Sequence, residues 1–312
     1  MSKRIVVIGN GQFAVTCLKL MLCAGVVVPL VIADPELYVL AGLLPAFCRK
    51  MKLRLIETAD INSPATLDAV SSARPDFLFS IYNVRIIKQT LLGMARIATI
   101  NFHNGPLPRY RGVNIYSWAI INGERRHGVT WHLVDEGIDT GAVLGQKMFP
   151  LEARDNPVTL LSKGFRAGTD VLDALLPELL AGRIDARKQD DSIATYYSKK
   201  DIPNNGCLSF DWSFDQIERF VRGLDFRPFE NRFVHPSTSF KGVRFYPQTV
   251  KYVSNSHTET PGRIVDISDD SIRVQAADAV VALSHILNER SQPVSTRELQ
   301  STLHLEKGEI LT

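Results

Sequence analysis

Cysteine is scarce in this chain: Cys17, Cys23, Cys48 and Cys207 are its four, and no two are spaced as a CxxC pair. That leaves no zinc-ligand spacing and no disulfide framework, and a reducing compartment is the fitting environment. A strong charge of either sign is also missing. Lys and Arg number 36 against 33 Asp and Glu, a net +3, which helps attract an anion but is not the basic footprint of a nucleic-acid protein. No apolar run approaches the roughly 20 residues of a membrane span. Met1-Ser2-Lys3-Arg4 passes directly into Ile5–Ile8, a run too short for a signal-peptide core. No internal repeat or low-complexity tract occurs. The expectation is a soluble, cytoplasmic protein with no metal site.

What is present is an ordinary globular composition, 45% hydrophobic over 312 residues, enough for two domains with real cores. Ile5–Ile8 is uniformly apolar and β-branched, as in a strand buried on both faces, and Gly9-Asn10-Gly11 turns it into a helix near Gln12. The alternation continues with a strand Val26–Ile32, the turn Ala33-Asp34-Pro35, a helical stretch Glu36–Met51, a short strand Leu53–Ile56, a helix Ser63–Ser72 and a strand Phe77–Ile81. Further strands are expected at Ile97–Phe102, Val129–Val134 and Val143–Phe149, and a long helix at Val158–Ala181, closed by Gly182. This is α/β architecture: a Rossmann-like, mostly parallel sheet with helices on both faces.

From Lys188 to Gly206 the chain turns polar and rich in breakers, which sets the domain boundary there. The expected division is a catalytic domain over 1–200 and a smaller domain over 207–312. In the latter a helix at Phe214–Leu224 precedes short strands at Val243–Tyr246, Thr249–Val253, Gly262–Asp266, Ile272–Ala276 and Val280–Leu283, the pattern of a small OB-like β-barrel.

Three stretches carry polar groups with chemistry in them. Gly9-Asn10-Gly11-Gln12-Phe13-Ala14 resembles the start of a dinucleotide fingerprint, but its third glycine is absent and Asp34 is a poor ribose marker, so a plain strand-to-helix turn is the stronger reading. Asn101 and His103 lie two apart at a strand's end and share a face, at the carboxyl edge where open α/β sheets bind ligands. On the pair alone a hydrogen-bonded turn is the favoured reading, but Gly105-Pro106-Leu107-Pro108 makes the following loop irregular and stiff and shifts the balance. Asp135-Glu136-Gly137-Ile138-Asp139-Thr140-Gly141 is an acidic loop whose spacing does not fit a calcium site.

Together, Asn101-x-His103, Pro106-Leu107-Pro108-Arg109-Tyr110-Arg111-Gly112 and Asp135-x-Gly137-Ile138-Asp139-Thr140-Gly141 resemble the catalytic signature of the folate-dependent, methionyl-tRNA formyltransferase-like family. Asp211-Trp212-Ser213 followed by Ile217–Leu224 is similar to the opening of that family's C-terminal domain. Two departures point away from tRNA as acceptor. Gly105-Pro106-Leu107-Pro108 stands where the initiator-tRNA enzymes usually carry Ser-Leu-Leu-Pro, and Asp34–Ala46 contains no basic run to grip phosphates. The resemblance is closer to N-formyltransferases acting on small amines, amino-acid-derived, carrier-bound or aminosugar nucleotide.

The resemblance implies 10-formyltetrahydrofolate as co-substrate, and Asn101, His103 and Asp139 as the catalytic set. His103 would take the amine proton and Asn101 would donate to the oxyanion. Asp139 would relay the proton, or only orient its loop. The pterin would meet backbone groups of Phe79, Ser80, Ile81, Tyr82 and Asn83 and of Leu133–Gly137, with Asp135 facing either the pterin or solvent. Arg109 and Arg111 either hold the acceptor or make structural contacts, the latter favoured. Tyr116 and Trp118 read as helix-packing aromatics. His132 is a secondary candidate, pointing into the site or satisfied in the core, and His127 and His235 are expected at the surface without partners. A formyl-folate hydrolase and a noncatalytic folate-binding module remain as readings from other classes.

Overall fold

The structure, a computed structural model, describes residues 2–37, 43–255 and 258–312. Its elements run β1 (Arg4–Gly9), α1 (Gly11–Cys23), β2 (Val27–Ala33), a 3-10 turn at Pro35–Leu37, α2 (Leu43–Met51), β3 (Leu55–Glu57), α3 (Pro64–Ala73), β4 (Phe77–Ile81), α4 (Gln89–Leu92) and β5 (Ala98–His103). There follow β6 (Arg111–Gly112), α5 (Ile115–Ile121), β7 (Arg126–Leu133), β8 (Val143–Pro150), α6 (Pro157–Leu180) and β9 (Tyr196–Tyr197). The C-terminal part holds α7 (Phe214–Gly223), β10 (Thr238–Phe240), β11 (Val243–Asn255), β12 (Ile264–Ile267), β13 (Ile272–Gln275), β14 (Ala279–Leu287), β15 (Pro293–Val294) and α8 (Thr296–Leu303).

The uniformly apolar first strand is buried on both faces because its alternate residues serve different cores. Ile5 and Val7 join the cluster formed with Phe13, Cys17, Leu18 and Leu172, whereas Val6 and Ile8 join the one formed with Ala69, Val70 and Leu91. Helices α1, α2 and α6 thus cover one face of the sheet and α3 and α4 the other. Strand order is β3-β2-β1-β4-β5-β7-β8. The first five strands are parallel, and β7 and β8 add antiparallel pairs. The mostly parallel, Rossmann-like sheet is therefore what the alternation of elements implied. Of the helix expected at Glu36–Met51, the described part is the 3-10 turn and α2; residues 38–42 lie outside the described residues.

The chain divides into two compact units, and not at a single point. One comprises residues up to Gly112, Arg126–Pro150 and Leu161–Tyr197; the other comprises Val113–Arg125, Leu151–Leu160 and Ser198–Thr312. In the second, an antiparallel sheet of order β10-β11-β14-β13-β12, with β15 on β14, wraps as a half-barrel around Ile217, Phe220, Phe245, Ile272 and Val281. Helix α7 starts with a full capping box between Ser213 and Gln216. The two strands expected on either side of Pro247 are one strand, β11. Its neighbour β10 pairs only as far as Phe245, so Pro247 stands where one edge has no partner in the sheet order and its missing N–H is tolerated. Helix α8 escaped the sequence reading, although Ser295 and Glu298 carry the N-cap spacing and the Ser295 hydroxyl accepts from Glu298 N at 3.1 Å.

Among the described residues no helix is long and apolar enough to cross a membrane.

Candidate active site

Strand β5 ends in Asn101-Phe102-His103. Alternation sends Phe102 into the core, 4.4 Å from the Phe13 ring and 5.2 Å from Trp131, and turns Asn101 and His103 to the opposite face. In the β5–β7 pair Asn101 lies opposite His132 and His103 opposite Thr130, so these four share one face. Thr130 holds the loop that follows the strand: its hydroxyl donates to Gly105 O at 2.7 Å and accepts from Leu107 N at 3.2 Å and from Gln146 Nε2 at 3.0 Å.

His103 Nε2 donates to the carbonyl of Tyr110 at 2.6 Å. Gly105 makes room for this bond, since a Cβ there would lie 2.7 Å from His103 Nε2 and 2.8 Å from Tyr110 O. Tyr110 is itself tied down. Its N–H donates to Thr195 Oγ1 at 2.7 Å, and its ring stacks on Tyr197 at 5.6 Å, next to the parallel β6–β9 pairing. Gly112 must be glycine at φ +94°, where a Cβ would meet Tyr197 O at 2.0 Å. Its N–H donates to Asp139 Oδ2 at 2.9 Å.

Asp139 thereby sits between two imidazoles. Its Oδ2 is 3.3 Å from His103 Nδ1 and its Oδ1 is 3.5 Å from His132 Nε2. Asn101 Nδ2 is 3.1 Å from His132 Nε2. The three residues proposed from sequence are brought together, and His132, the secondary candidate, completes the cluster. All but Asn101 are nearly sealed: side-chain exposure is 7% for His103, 11% for Asp139 and 3% for His132.

Burial is the largest influence on Asp139 and would raise its carboxyl, but His103, His132 and the Gly112 N–H together outweigh it and hold the group below the usual carboxylate range. Burial likewise dominates at His103 and lowers it, against the pull of Asp139 and of the Tyr110 carbonyl. These two directions conflict, because a depressed Asp139 is favoured by a charged His103 while burial favours a neutral one. With Nε2–H committed to Tyr110 O, we take the neutral ring beside an ionised Asp139 as the resting state, since desolvation is the stronger influence on His103. Its Nδ1 then carries the lone pair.

The remaining sequence candidates distribute as follows. Phe79 and Ile81 are fully buried in the core, so their side chains cannot meet a ligand. Ser80 pairs with Ile8 and Asn101 within the ladder, and beyond the strand Tyr82 takes φ +53° with its ring edge-on to Phe165 at 5.2 Å. Leu133 offers its carbonyl to His132 Nδ1 at 2.7 Å. Asp135 is exposed and accepts from Gly137 N at 3.2 Å and from the Thr140 hydroxyl. Arg111 has the structural role favoured for it, donating to Gln189 Oε1 and Asp191 Oδ1, and the Arg109 guanidinium lies 5.2 Å over the Tyr110 ring. Tyr116 and Trp118 both fall on α5. In the Gly9–Ala14 turn, a Cβ on Gly9 would meet Ile81 O at 2.7 Å, Asn10 Oδ1 accepts from Asp34 N at 3.0 Å, and Asp34 is bridged by Arg85 at 2.6 Å. Gly9, Asn10 and Asp34 thus each have a structural reason.

Two histidines expected at the surface are not there. Strand β7 begins at Arg126 rather than Val129, which puts His127 opposite Phe149 and fully buried, donating from Nε2 to Asn104 O at 2.8 Å. His235 is partly buried and edge-on to Tyr246 at 6.2 Å. Burial pushes the His127 imidazole down to about 4. Its folded-state value lies below the unfolded one near 6.5, so its contribution to stability is complete above pH of about 6.5 and is lost as pH falls toward 4. Denaturant titrations across that window are expected to lose about 3 kcal/mol from this group. In His127→Gln the slope should flatten.

Gln189 was missed altogether, because it falls in the polar stretch read as an interdomain boundary. Its Nε2 donates to Asp139 O at 2.8 Å and Gly141 O at 2.7 Å while its Oε1 accepts from Arg111, so one buried side chain ties the Asp139 loop to the Arg111 segment. No local pattern marks such a residue. Gln189→Leu is expected to cost about 3 kcal/mol in urea unfolding, from the polar groups left unpaired, and to lower activity by displacing Asp139.

The sheet, the acidic loop and the Asn–His–Asp cluster are those of a group-transfer enzyme in a recognisable class. The chain belongs to the formyl transferase family, whose pattern matches residues 3–175, with that of the formyl transferase C-terminal domain matching residues 202–303. Enzymes of this family carry a formyl group from a formylated tetrahydrofolate to an acceptor, and this chain is one of them. A methionyl-tRNA formyltransferase of Geobacter sulfurreducens is 27% identical over 98% of this chain and 95% of that one. The fold is shared with WlaRD, a sugar 3N-formyl transferase whose crystal structure was determined in the presence of dTDP and 5-N-formyl-THF, at a TM-score of 0.70 and 19% identity, covering 91% of this chain and 98% of that one. An N-formyltransferase from Helicobacter canadensis, in complex with folinic acid and dTDP-3-aminofucose, superposes with a TM-score of 0.67 at 19% identity, covering 91% and 99%.

Proposed function

We propose that this enzyme transfers the formyl group of 10-formyltetrahydrofolate to the primary amine or hydroxylamine of a small biosynthetic intermediate, amino-acid-derived or carrier-bound, in the cytoplasm. The observation that carries the reaction is His103 Nδ1, in the resting state assigned above, beside Asp139 at 3.3 Å, next to an Asn101 amide on the same sheet face. The amine nitrogen attacks the formyl carbon, a new C–N bond forms, and the oxygen takes the negative charge. Asn101 stabilises that oxyanion through an amide N–H. His103 Nδ1 takes the proton lost by the attacking nitrogen, and Asp139 stabilises the imidazolium. The C–N10 bond of the folate then breaks, and the departing nitrogen takes the proton back. Backbone groups around Tyr82–Asn83 and Leu133–Gly137 hold the pterin in this reading.

The acceptor reading rests on charge. Over Ser198–Thr312 there are 14 Lys and Arg against 15 Asp and Glu, and eight of these cations, Arg219, Arg222, Arg227, Arg232, Lys241, Arg263, Arg273 and Arg297, sit in ion pairs. A surface that tracks phosphates needs unneutralised cations, and the Asp34–Ala46 segment supplies none. Methionyl-tRNA is the alternative supported by the full-length relatives, and an aminosugar nucleotide by the shared fold. Mass spectrometry of the enzyme incubated with 10-formyltetrahydrofolate and a panel of amino acids, hydroxylated diamines, aminosugar nucleotides and methionyl-tRNA decides among them. A formylated amino-acid-derived amine is expected. Formylated tRNA or sugar nucleotide overturns the acceptor, and formate without any formylated product replaces the transferase with a hydrolase.

A further inference from the structure

Asn101 can serve an oxyanion only if its amide presents N–H, not C=O, and an asparagine side chain does not settle this by itself: its two ends have nearly the same shape. The neighbour across the strand pair settles it. His132 Nδ1 lies 2.7 Å from the carbonyl of Leu133, and a carbonyl only accepts, so Nδ1 carries the proton. In the neutral ring Nε2 is then a bare acceptor, and the Asn101 atom 3.1 Å away must be the NH2 group. One of its two hydrogens is held by His132; the other is left for the site.

We propose that His132 is a positioning residue that sets the amide of Asn101 in its donating orientation through the Nδ1–H tautomer imposed by Leu133 O. Three features carry this. The ring is 3% exposed in its side chain, so water does not compete for Nε2. The residues are direct partners in the β5–β7 register, which fixes their separation by backbone pairing. The groups facing the ring from other elements are Asp139 Oδ1 at 3.5 Å, which accepts only, and the edge of the His103 ring at 6.4 Å between centroids; neither supplies Nε2 with a donor in place of Asn101. A doubly protonated His132 would donate from Nε2 to Asp139 Oδ1 and release Asn101, so the positioning role proposed belongs to the neutral ring.

This rests on the oxyanion role given to Asn101 above, and the test separates the two. His132→Gln keeps an acceptor near the Nε2 position, and His132→Asn keeps a donor near Nδ1 but withdraws the acceptor. With 10-formyltetrahydrofolate and the acceptor found in the panel, His132→Asn is expected to lower kcat about 10- to 100-fold, less than the roughly 100- to 1,000-fold expected from losing an oxyanion donor outright. The KM for folate should stay within about twofold, and His132→Gln should recover most of the rate. In an Asn101→Ala background, His132→Asn should cost almost nothing more, because there is no amide left to orient. Full activity in His132→Asn, equal losses in the Gln and Asn variants, or additive losses in the double variant would overturn the positioning role while leaving the oxyanion reading intact. An Asn101→Ala enzyme with near wild-type kcat would overturn the oxyanion reading and this inference with it.

Discussion

His103→Ala is expected to lower kcat about 100- to 10,000-fold, the range for losing a positioned general base, with little change in folate affinity. The effect should be large because the ring is held from every side. Nε2 is committed to Tyr110 O, Gly105 offers no side chain to displace it, and Nδ1 faces Asp139. The other imidazole beside Asp139 is His132, whose Nε2 lies 3.1 Å from the Asn101 amide and, in the tautomer proposed above, accepts from it. Steady-state rates at saturating acceptor, together with titration of 5-formyltetrahydrofolate against the protein, separate base loss from binding loss. A variant that retains a third or more of the wild-type kcat would remove His103 from the proton path.

The second large effect is in pH dependence. Burial lowers the His103 imidazole, and Asp139 is the first influence that opposes it. In the proposed mechanism the neutral ring is the base, so activity is expected to be lost as pH falls through the His103 value. In Asp139→Asn the opposing carboxylate is gone and that value drops further, so the acid limb of the kcat profile should move to lower pH. The plateau should fall by about 100-fold, because the imidazolium formed on accepting the proton has lost its counter-charge. Asparagine retains an oxygen for the Gly112 N–H, which limits structural damage. If Asp139 served only to orient its loop, the limb would stay where it is in the wild type.

Much of the catalytic unit was legible in the chain. The doubly buried first strand, the Phe77–Ile81 strand and the long sixth helix follow from apolar runs and breakers acting over a few residues. Asn101 and His103 were legible as a pair because strand alternation is local, whereas the acidic loop alone did not single out Asp139, which entered only through the family resemblance. His127 was misjudged for a local reason too: its strand begins three residues before the apolar run that announced it, and a charged start masks burial. Gln189 and Thr195 could not be found in this way. They lie more than 75 residues from Tyr110 and Arg111, whose positions they determine.

The sequence by itself determined the alternating α/β order, the polar pair at the strand's end and the absence of a basic run for a phosphate backbone, since each is written in residue type and short spacing. Only the tertiary structure decided which groups meet. Pairing β5 against β7 brings His132 opposite Asn101, the loop after β7 brings Asp139 to His103, and the Tyr110 carbonyl takes Nε2–H and leaves Nδ1 toward Asp139. Each tautomer is set by a carbonyl close in the chain, Tyr110 O for His103 and Leu133 O for His132, whereas the Asn101 amide meets its partner, His132, only across the strand pair, because a donor is defined by the acceptor it faces and not by its own side chain.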